Sequence, residues 1–401
     1  MANKSLYLVA ILSTPTLLSN ALSPRFIDCQ LQKPINASSV LGCPSGTLFV
    51  SSTDLRANFS SIQEAIVSLP DQGRAFILLG EGEYHETVNI TRSGPLTLLG
   101  QLNTNALSPT SNASARNLVT IWNNIFVQEG MDDAQSSVLL VAPSFNASLI
   151  GAGPTGAPLQ PLFGITDFKA YNINFEDRAA DFAISQALVT DISYANASFY
   201  GCTFASYQDT WYTGRNASTY VVDSIIFGQT DYLFGFGTAW FEDIILANRA
   251  CGGGIVAWKG TNRTDAPGNR YGAYINNSKI IRSPDANATL DITGKCFLGR
   301  PWNDLATTIY MRRPWNDLAT TIYMRTFMDD TIQPAGWTPF DSARPTIMNT
   351  TFYAEFHNFG PGSNTSQRVH DHILTPAEAA DFTLEEVFLE RPKWIDFTYE
   401  H

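Results

Sequence analysis

An all-β fold, a parallel β-solenoid with short flanking helices, is what this sequence predicts, on three observations. From Ala75 to about residue 355 the chain falls into short β-rich runs separated by Gly, Asn, Pro and Ser, and helical periodicity is scarce. Chemically matched residues recur at 22 positions: Gln186 with Gln208, and Asp209 with Asp231. A repeat of that length suits one coil of a solenoid, where equivalent positions on hydrogen-bonded neighbours lie about 4.8 Å apart. Phe182, Phe204 and Ile226 repeat at the same interval, as an inward-facing stack would. Asn174, Asn196 and Ser218 do likewise at a turn-like polar position. A β-sandwich is the competing all-β architecture on pattern alone.

Residues 1–21 read as a secretion signal: Lys4, the apolar run Leu6–Leu12, then small residues Ser19 and Ala21 at a cleavage site. The run is too short to span a bilayer, and no later stretch is long enough. Residues 22–401 form a single domain with an irregular lead-in over 22–57. Ser60-Ser-Ile-Gln63 opens a helix as a capping box, with Ile62, Ala65, Ile66 and Leu69 on one face, and Pro70 ends it. Such a helix would cap the open end of the coils. Strands follow at Phe76–Leu79, Thr87–Ile90, Leu96–Leu99, Val119–Trp122 and Val138–Val141. Near the C-terminus, Thr375-Pro-Ala-Glu378 is a second capping box, opening a short helix over Ala377–Asp381, and Trp394 is a packing anchor.

Apolar residues make up 44% of the 401 and charged ones 15%, which supports a large core and argues against disorder. The net charge of −12 disfavours nucleic acid as a partner. Twelve Asn-x-Ser/Thr sequons, from Asn36 to Asn364, favour an extracellular glycoprotein. Of five cysteines, Cys29 and Cys43 are spaced to close a short loop, Cys202 reads as a buried core residue, and the odd count leaves a free thiol. No cysteine or histidine spacing suggests a metal, and no cofactor is expected.

Residues 300–312, Arg-Pro-Trp-Asn-Asp-Leu-Ala-Thr-Thr-Ile-Tyr-Met-Arg, recur unchanged as 313–325. Thirteen residues are too few for a coil, so the tandem copy at 300–325 is a duplication rather than a structural period.

The chemistry centres on Tyr207-Gln-Asp-Thr-Trp-Tyr212 and Gly228-Gln-Thr-Asp-Tyr-Leu-Phe-Gly235. Aromatic, poorly solvated surroundings raise a carboxyl pKa, and a second carboxylate raises one of the pair further. One Asp then serves as an acid while an Arg beside the other keeps it ionised. There is no Gly-x-Ser-x-Gly elbow, and His85, His357, His370, His372 and His401 lie outside these strings, so a Ser-His-Asp triad is not expected. Two metal-free reactions remain: glycoside hydrolysis by an acid pair, and acyl transfer to a carboxylate nucleophile. Two Gln amides on adjacent coils suit the second, as oxyanion donors.

At these strings the chain resembles the pectin methylesterases (pectinesterases) of the fungal kind. The likeness runs from about Ser61 to Trp394 through Ser61-Ile-Gln-Glu-Ala65, Gly82-Glu-Tyr-His-Glu86, Gln186-Ala-Leu188, Tyr200-Gly-Cys-Thr-Phe204, the two Asp strings, and Leu298-Gly-Arg-Pro-Trp302. Ala257-Trp-Lys-Gly-Thr-Asn262 is closer to fungal than to plant members. The resemblance implies a right-handed, single-stranded parallel β-helix and a secreted, monomeric enzyme acting on methylesterified pectin. It implies that Asp231 attacks the ester carbonyl, Asp209 is the acid and then the base, Gln186 and Gln208 hold the oxyanion, and Arg300 pairs with Asp231. Trp302, Tyr232, Trp258 and Tyr212 are then expected to meet the sugar, with Tyr232 where Phe is more usual. Either Arg300/Trp302 or Arg313/Trp315 can fill the site, and the Leu298-Gly299 approach favours the first. The alternative is a catalytically inactive pectin-binding glycoprotein on the same scaffold. A pectin lyase would need Ca²⁺ ligands and a basic residue, and a glycosidase carboxylates aimed at an anomeric carbon; the paired Gln residues argue against both.

Overall fold

The computed structural model describes residues 22–107, 113–151, 162–259, 270–302, 319–349 and 351–401; the expected signal segment, 1–21, lies outside them. Among the described residues, the strands wind into a right-handed parallel β-helix of three sheets. Sheet I has eleven strands, sheet II eight and sheet III seven. Each coil runs from sheet I to II to III and back, and the ladders between coils are parallel.

The three corners differ in kind. Between sheets I and II the turn is two residues long on most coils, and its first residue is left-handed: Asn172, Gly201, Asp223, Asp243 and Asn277 stack there with φ between +48° and +60°. Gly, Asn and Asp tolerate that region, so the ladder is written in residue type. The corner between sheets II and III shortens upward, through 178–189, 206–210 and 231–232 to 253 alone. The corner between sheets III and I ranges from 236–237 to 142–167.

The interior is apolar throughout. Phe175, Phe204, Ile226, Leu246 and Ile280 stack in register, all fully buried. The steps between them are 29, 22, 20 and 34 residues, so the interval of 22 holds for one coil and not for the stack. Phe182 is therefore not in the stack: it lies on the long corner 178–189, 55% exposed, and Phe175 takes its place. Asn196 and Ser218 are partners at the start of sheet I strands, whereas Asn174 pairs with Thr203 in sheet II.

Sheet I is buried on both faces, which explains its continuous apolar strands such as Leu96–Gly100. Its outer face carries Tyr171, Tyr200, Trp240 and Tyr274 beneath the two chain ends, including Phe26, Trp394 and Tyr399. Asp396 accepts from Tyr171 Oη at 2.8 Å, and its backbone N–H donates to Tyr200 Oη at 2.6 Å. Trp394 thus anchors the terminal segment as expected.

The N-terminal helix spans Ile62–Ser68 and buries Ile62, Ala65 and Ile66 on the end of the core. Its N-cap is Ser61 rather than Ser60. Glu86 completes the cap from the next coil, accepting from Ile62 N at 2.9 Å and Gln63 N at 3.0 Å. The second box is as expected at Thr375 with Glu378, though its helix covers Pro376–Ala379 and continues as a 3₁₀ turn over Ala380–Phe382. Cys29 and Cys43 are bonded, Cys202 is free and buried, and Cys251 is bonded to Cys296, a pairing not anticipated.

Each copy of the duplicated segment contributes half of one coil. Phe297–Pro301 is a sheet III strand that carries Arg300 from the first copy, while Thr320–Met324, from the second, is the following sheet I strand. Sixteen residues, 303–318, separate Trp302 from Ala319, where a single copy would leave three. Arg313 and Trp315 fall outside the described residues.

Candidate active site

The corner between sheets II and III gathers the polar residues singled out by spacing. Gln186 lies on one coil, Gln208 and Asp209 on the next, Asp231 on the third and Gly253 on the fourth. Backbone hydrogen bonds tie them in sequence: Ala187 N to Gln208 O at 3.1 Å, Asp209 N to Thr230 O at 3.1 Å, and Asp231 N to Gly254 O at 2.7 Å. Gln208 bridges to Thr230, which puts Asp209 and Asp231 at equivalent places on successive coils. Both aspartates are left-handed, with φ of +60° and +48°, a conformation that turns their side chains out of the sheet alternation.

Asp231 is held by charge and geometry. Arg300, from the adjoining strand of sheet III, donates Nε to Oδ1 at 2.8 Å and Nη2 to Oδ2 at 2.6 Å, a bidentate fork. Gly254 N adds a third donor to Oδ1 at 3.0 Å. The guanidinium is fixed in turn by Phe340, whose carbonyl accepts from Nη1 and whose ring lies 4.3 Å beneath it. Asp209 is in the opposite situation. Burial first, then the charges of Asp231 and Asp133, hold its carboxyl well above the usual carboxylate range, with Arg300 pulling the other way. The site thus sets an aspartate paired with a cation beside a buried carboxyl that is pushed toward its protonated form.

Gln186 and Gln208 are both half-buried at the same corner. Ser185 Oγ donates to Gln186 Oε1 at 2.8 Å, which fixes one end of that amide. Trp302 is half-buried and forms a wall, with Phe234 at 5.5 Å and Tyr212 at 6.4 Å packed edgewise behind it. Lys259 Nζ lies over its ring at 4.1 Å.

Two of the expected sugar contacts turn inward instead. Tyr232 is fully buried in the core and donates Oη to Asn248 Oδ1 at 2.8 Å. Trp258 is fully buried and donates Nε1 to Gly237 O at 3.1 Å. Following a left-handed Asp231, the Tyr232 side chain points into the core, and Trp258 packs into the same core from the end of strand Gly254–Trp258, so neither ring reaches the cleft. Tyr212, 1% exposed, backs Trp302 rather than presenting a surface.

Several residues of the site were not legible in the sequence. Gly253, at φ +61°, would place a Cβ 2.7 Å from Arg300 Cζ and 2.8 Å from Asp231 Oδ1, so the ion pair exists only because this residue has no side chain. The run Gly252-Gly-Gly254 was the available signal. Phe340 lies forty positions beyond Arg300, in an irregular segment that carries no pattern. Among the described residues, no group of three or more His, Cys, Asp and Glu is placed to hold a metal ion.

Comparison with known proteins agrees with this geometry. The pectinesterase family matches residues 163–313 and 306–391. A probable pectinesterase A of Aspergillus niger is 29% identical over 393 residues, covering 96% of this chain and 99% of its own. A probable pectinesterase A of Neosartorya fischeri is 29% identical over 357 residues, covering 89% and 90%. The crystal structure of the Aspergillus niger pectin methylesterase superposes with a TM-score of 0.67 at 26% identity, over 89% of this chain and 98% of that one. The carrot pectin methylesterase superposes with a TM-score of 0.64 at 22% identity, over 85% and 92%, a likeness of fold.

Proposed function

The chain belongs to the pectinesterase family, and on that premise we propose that it hydrolyses the methyl esters of pectin through an aspartyl acyl-enzyme. The observation that carries this reading is the unequal pair: Asp231 clamped by Arg300, beside Asp209, whose carboxyl is pushed up by burial and by the Asp231 charge. An Asp231 oxygen attacks the ester carbonyl carbon. Gln186 and Gln208 donate amide hydrogens to the oxyanion that develops, Gln186 oriented by Ser185. As the tetrahedral species collapses, Asp209 passes its proton to the methoxy oxygen and methanol leaves. Asp209, now a carboxylate, takes a proton from water. The hydroxide adds to the substrate carbonyl, Asp231 departs as carboxylate, and both groups are reset. Trp302 supplies a face for a sugar ring.

The test is methanol release from highly methylated pectin, by the chain as written and by a chain lacking residues 313–325. Activity is expected in both, because Arg300 and Trp302 of the first copy already sit at the site and the second copy completes the next strand. Two folded chains that both release no methanol sink the esterase reading. Activity in the shortened chain alone assigns the loss to the sixteen residues between Trp302 and Ala319.

The protein is further proposed to be a secreted, glycosylated monomer. Asn146, Asn287 and Asn364 are exposed, whereas Asn276 is 6% exposed and donates Nδ2 to both Glu242 oxygens. Peptide mapping of secreted protein should find glycan on exposed sequons and none on Asn276. An occupied Asn276, or an intracellular unglycosylated product, contradicts this.

A further inference from the structure

The mechanism leaves one carboxyl of the cleft unused. Asp133 opens the single 3₁₀ turn Asp133–Ser136. The turn is braced on both sides. Asp132 caps it, accepting from Ala134 N at 3.0 Å and also from Ile150 N at 3.0 Å and Gly151 N at 2.7 Å. Gln135 Oε1 closes the box on Asp132 N at 2.8 Å. Ser136 Oγ donates to the Asp133 carbonyl at 2.8 Å and accepts from Leu188 N at 3.1 Å. Leu188 follows Ala187, whose N–H binds the Gln208 carbonyl. A short chain of hydrogen bonds therefore fixes Asp133 to the corner that presents Asp209. Ala134 packs with Leu188, Tyr212 and Phe234, with Trp302 against them, so this turn is part of the cleft wall.

Resting on the reading of Asp209 as the acid–base group, we propose that Asp133 is a positioning residue whose carboxylate, charged at neutral and alkaline pH, keeps the proton on Asp209 and extends activity toward alkaline pH. The groups that act on Asp209 are Asp231, Asp133 and Arg300; those near Asp133 also include Asp132 on its own turn and Asp191 on the neighbouring strand Thr190–Ile192. Burial, then Asp132, pushes the Asp133 carboxyl up to about 6. Asp133 is accordingly neutral in acid, where Asp209 needs no help. It becomes charged above that point, and its charge then opposes loss of the proton from Asp209. Like charge disfavours ionisation of the neighbour, and a partly desolvated site screens it weakly.

The experiment compares wild type with Asp133→Asn by two readouts: the ¹³C carboxyl titration of Asp209 in aspartate-labelled protein, and the alkaline limb of methanol release against pH. Both are expected to move to lower pH in the variant. Asp133→Glu, which restores the charge, should return them toward wild type. If both stay at the wild-type position in a folded Asp133→Asn protein, the proposal is overturned. Asp133→Ser is the second variant should Asn disturb the turn, read by the same two criteria. A wild type that releases no methanol removes the esterase reading alone, because the carboxyl titration still decides the coupling.

Discussion

Asp209→Asn is expected to cost about two to four orders of magnitude in kcat while making the protein more stable at neutral pH. The activity loss follows from removing the carboxyl proposed to donate the proton beside Asp231. The stability gain follows from linkage. The folded-state pKa of Asp209 is raised, so between the ordinary carboxylate pKa and that raised value the folded chain holds a proton that the unfolded chain has released. Stability therefore falls as pH rises through this window, by about 1 kcal/mol per pH unit, until the folded carboxyl itself ionises. Asn carries no such cost, is nearly isosteric, and tolerates the φ of +60° at this position. Melting curves of the two proteins should coincide near pH 3 and separate toward pH 7, with the variant higher. A variant that melts below wild type at pH 7, or that keeps its kcat, contradicts the assignment.

Gly253→Ala is expected to damage the site without touching any group that reacts. Two effects add. The residue sits at φ +61°, where a Cβ costs about 1 kcal/mol, and the new methyl would overlap Arg300 and Asp231 at 2.7 and 2.8 Å. The guanidinium fork has to move, and a displacement of about 1 Å in such a constellation lowers turnover on the order of 10²-fold. Gly73→Ala separates the two effects, because Gly73 has φ +88° and open space around its Cβ position. The control should lose stability only, by the backbone term, and keep its kcat. Gly253→Ala should lose more stability and most of its turnover, and a variant with wild-type kcat would show that the fork does not govern the nucleophile.

The strands, the winding and the four polar residues of the corner were legible for one reason. Between Gln208 and Asp231 the chain makes one coil without insertion, so chemistry and backbone share the same interval. The interval fails on either side because corner lengths change from coil to coil. That is why Phe175 and not Phe182 stacks on Phe204. Tyr232 and Trp258 were expected at the sugar from resemblance alone, and the in-and-out alternation could not have corrected this, because it cannot be counted across a left-handed residue and the register shifts between Gly228 and Thr230. Arg300 came from resemblance rather than pattern, and Phe340 from neither, since Arg300 meets Asp231, and Phe340 meets Arg300, through tertiary approach. Glu86 displaced the first helix cap by one residue for the same reason: its carboxylate arrives from another coil.

The unequal corners also say where such a chain can change length over generations. A stack of coils keeps its registers only if every insertion leaves the strands on either side facing their old neighbours. The left-handed corner between sheets I and II has two residues on most coils, and the corner between sheets II and III is short where it carries Asp209 and Asp231, though it reaches 178–189 and 283–296 on other coils. The third corner already spans lengths from 236–237 to 142–167, and the thirteen-residue duplication falls in it, between Trp302 and Ala319. An insertion of this size lands at a corner whose length already varies widely from coil to coil. Among such proteins, length should be held most nearly constant at the two-residue left-handed turns and around the reacting groups.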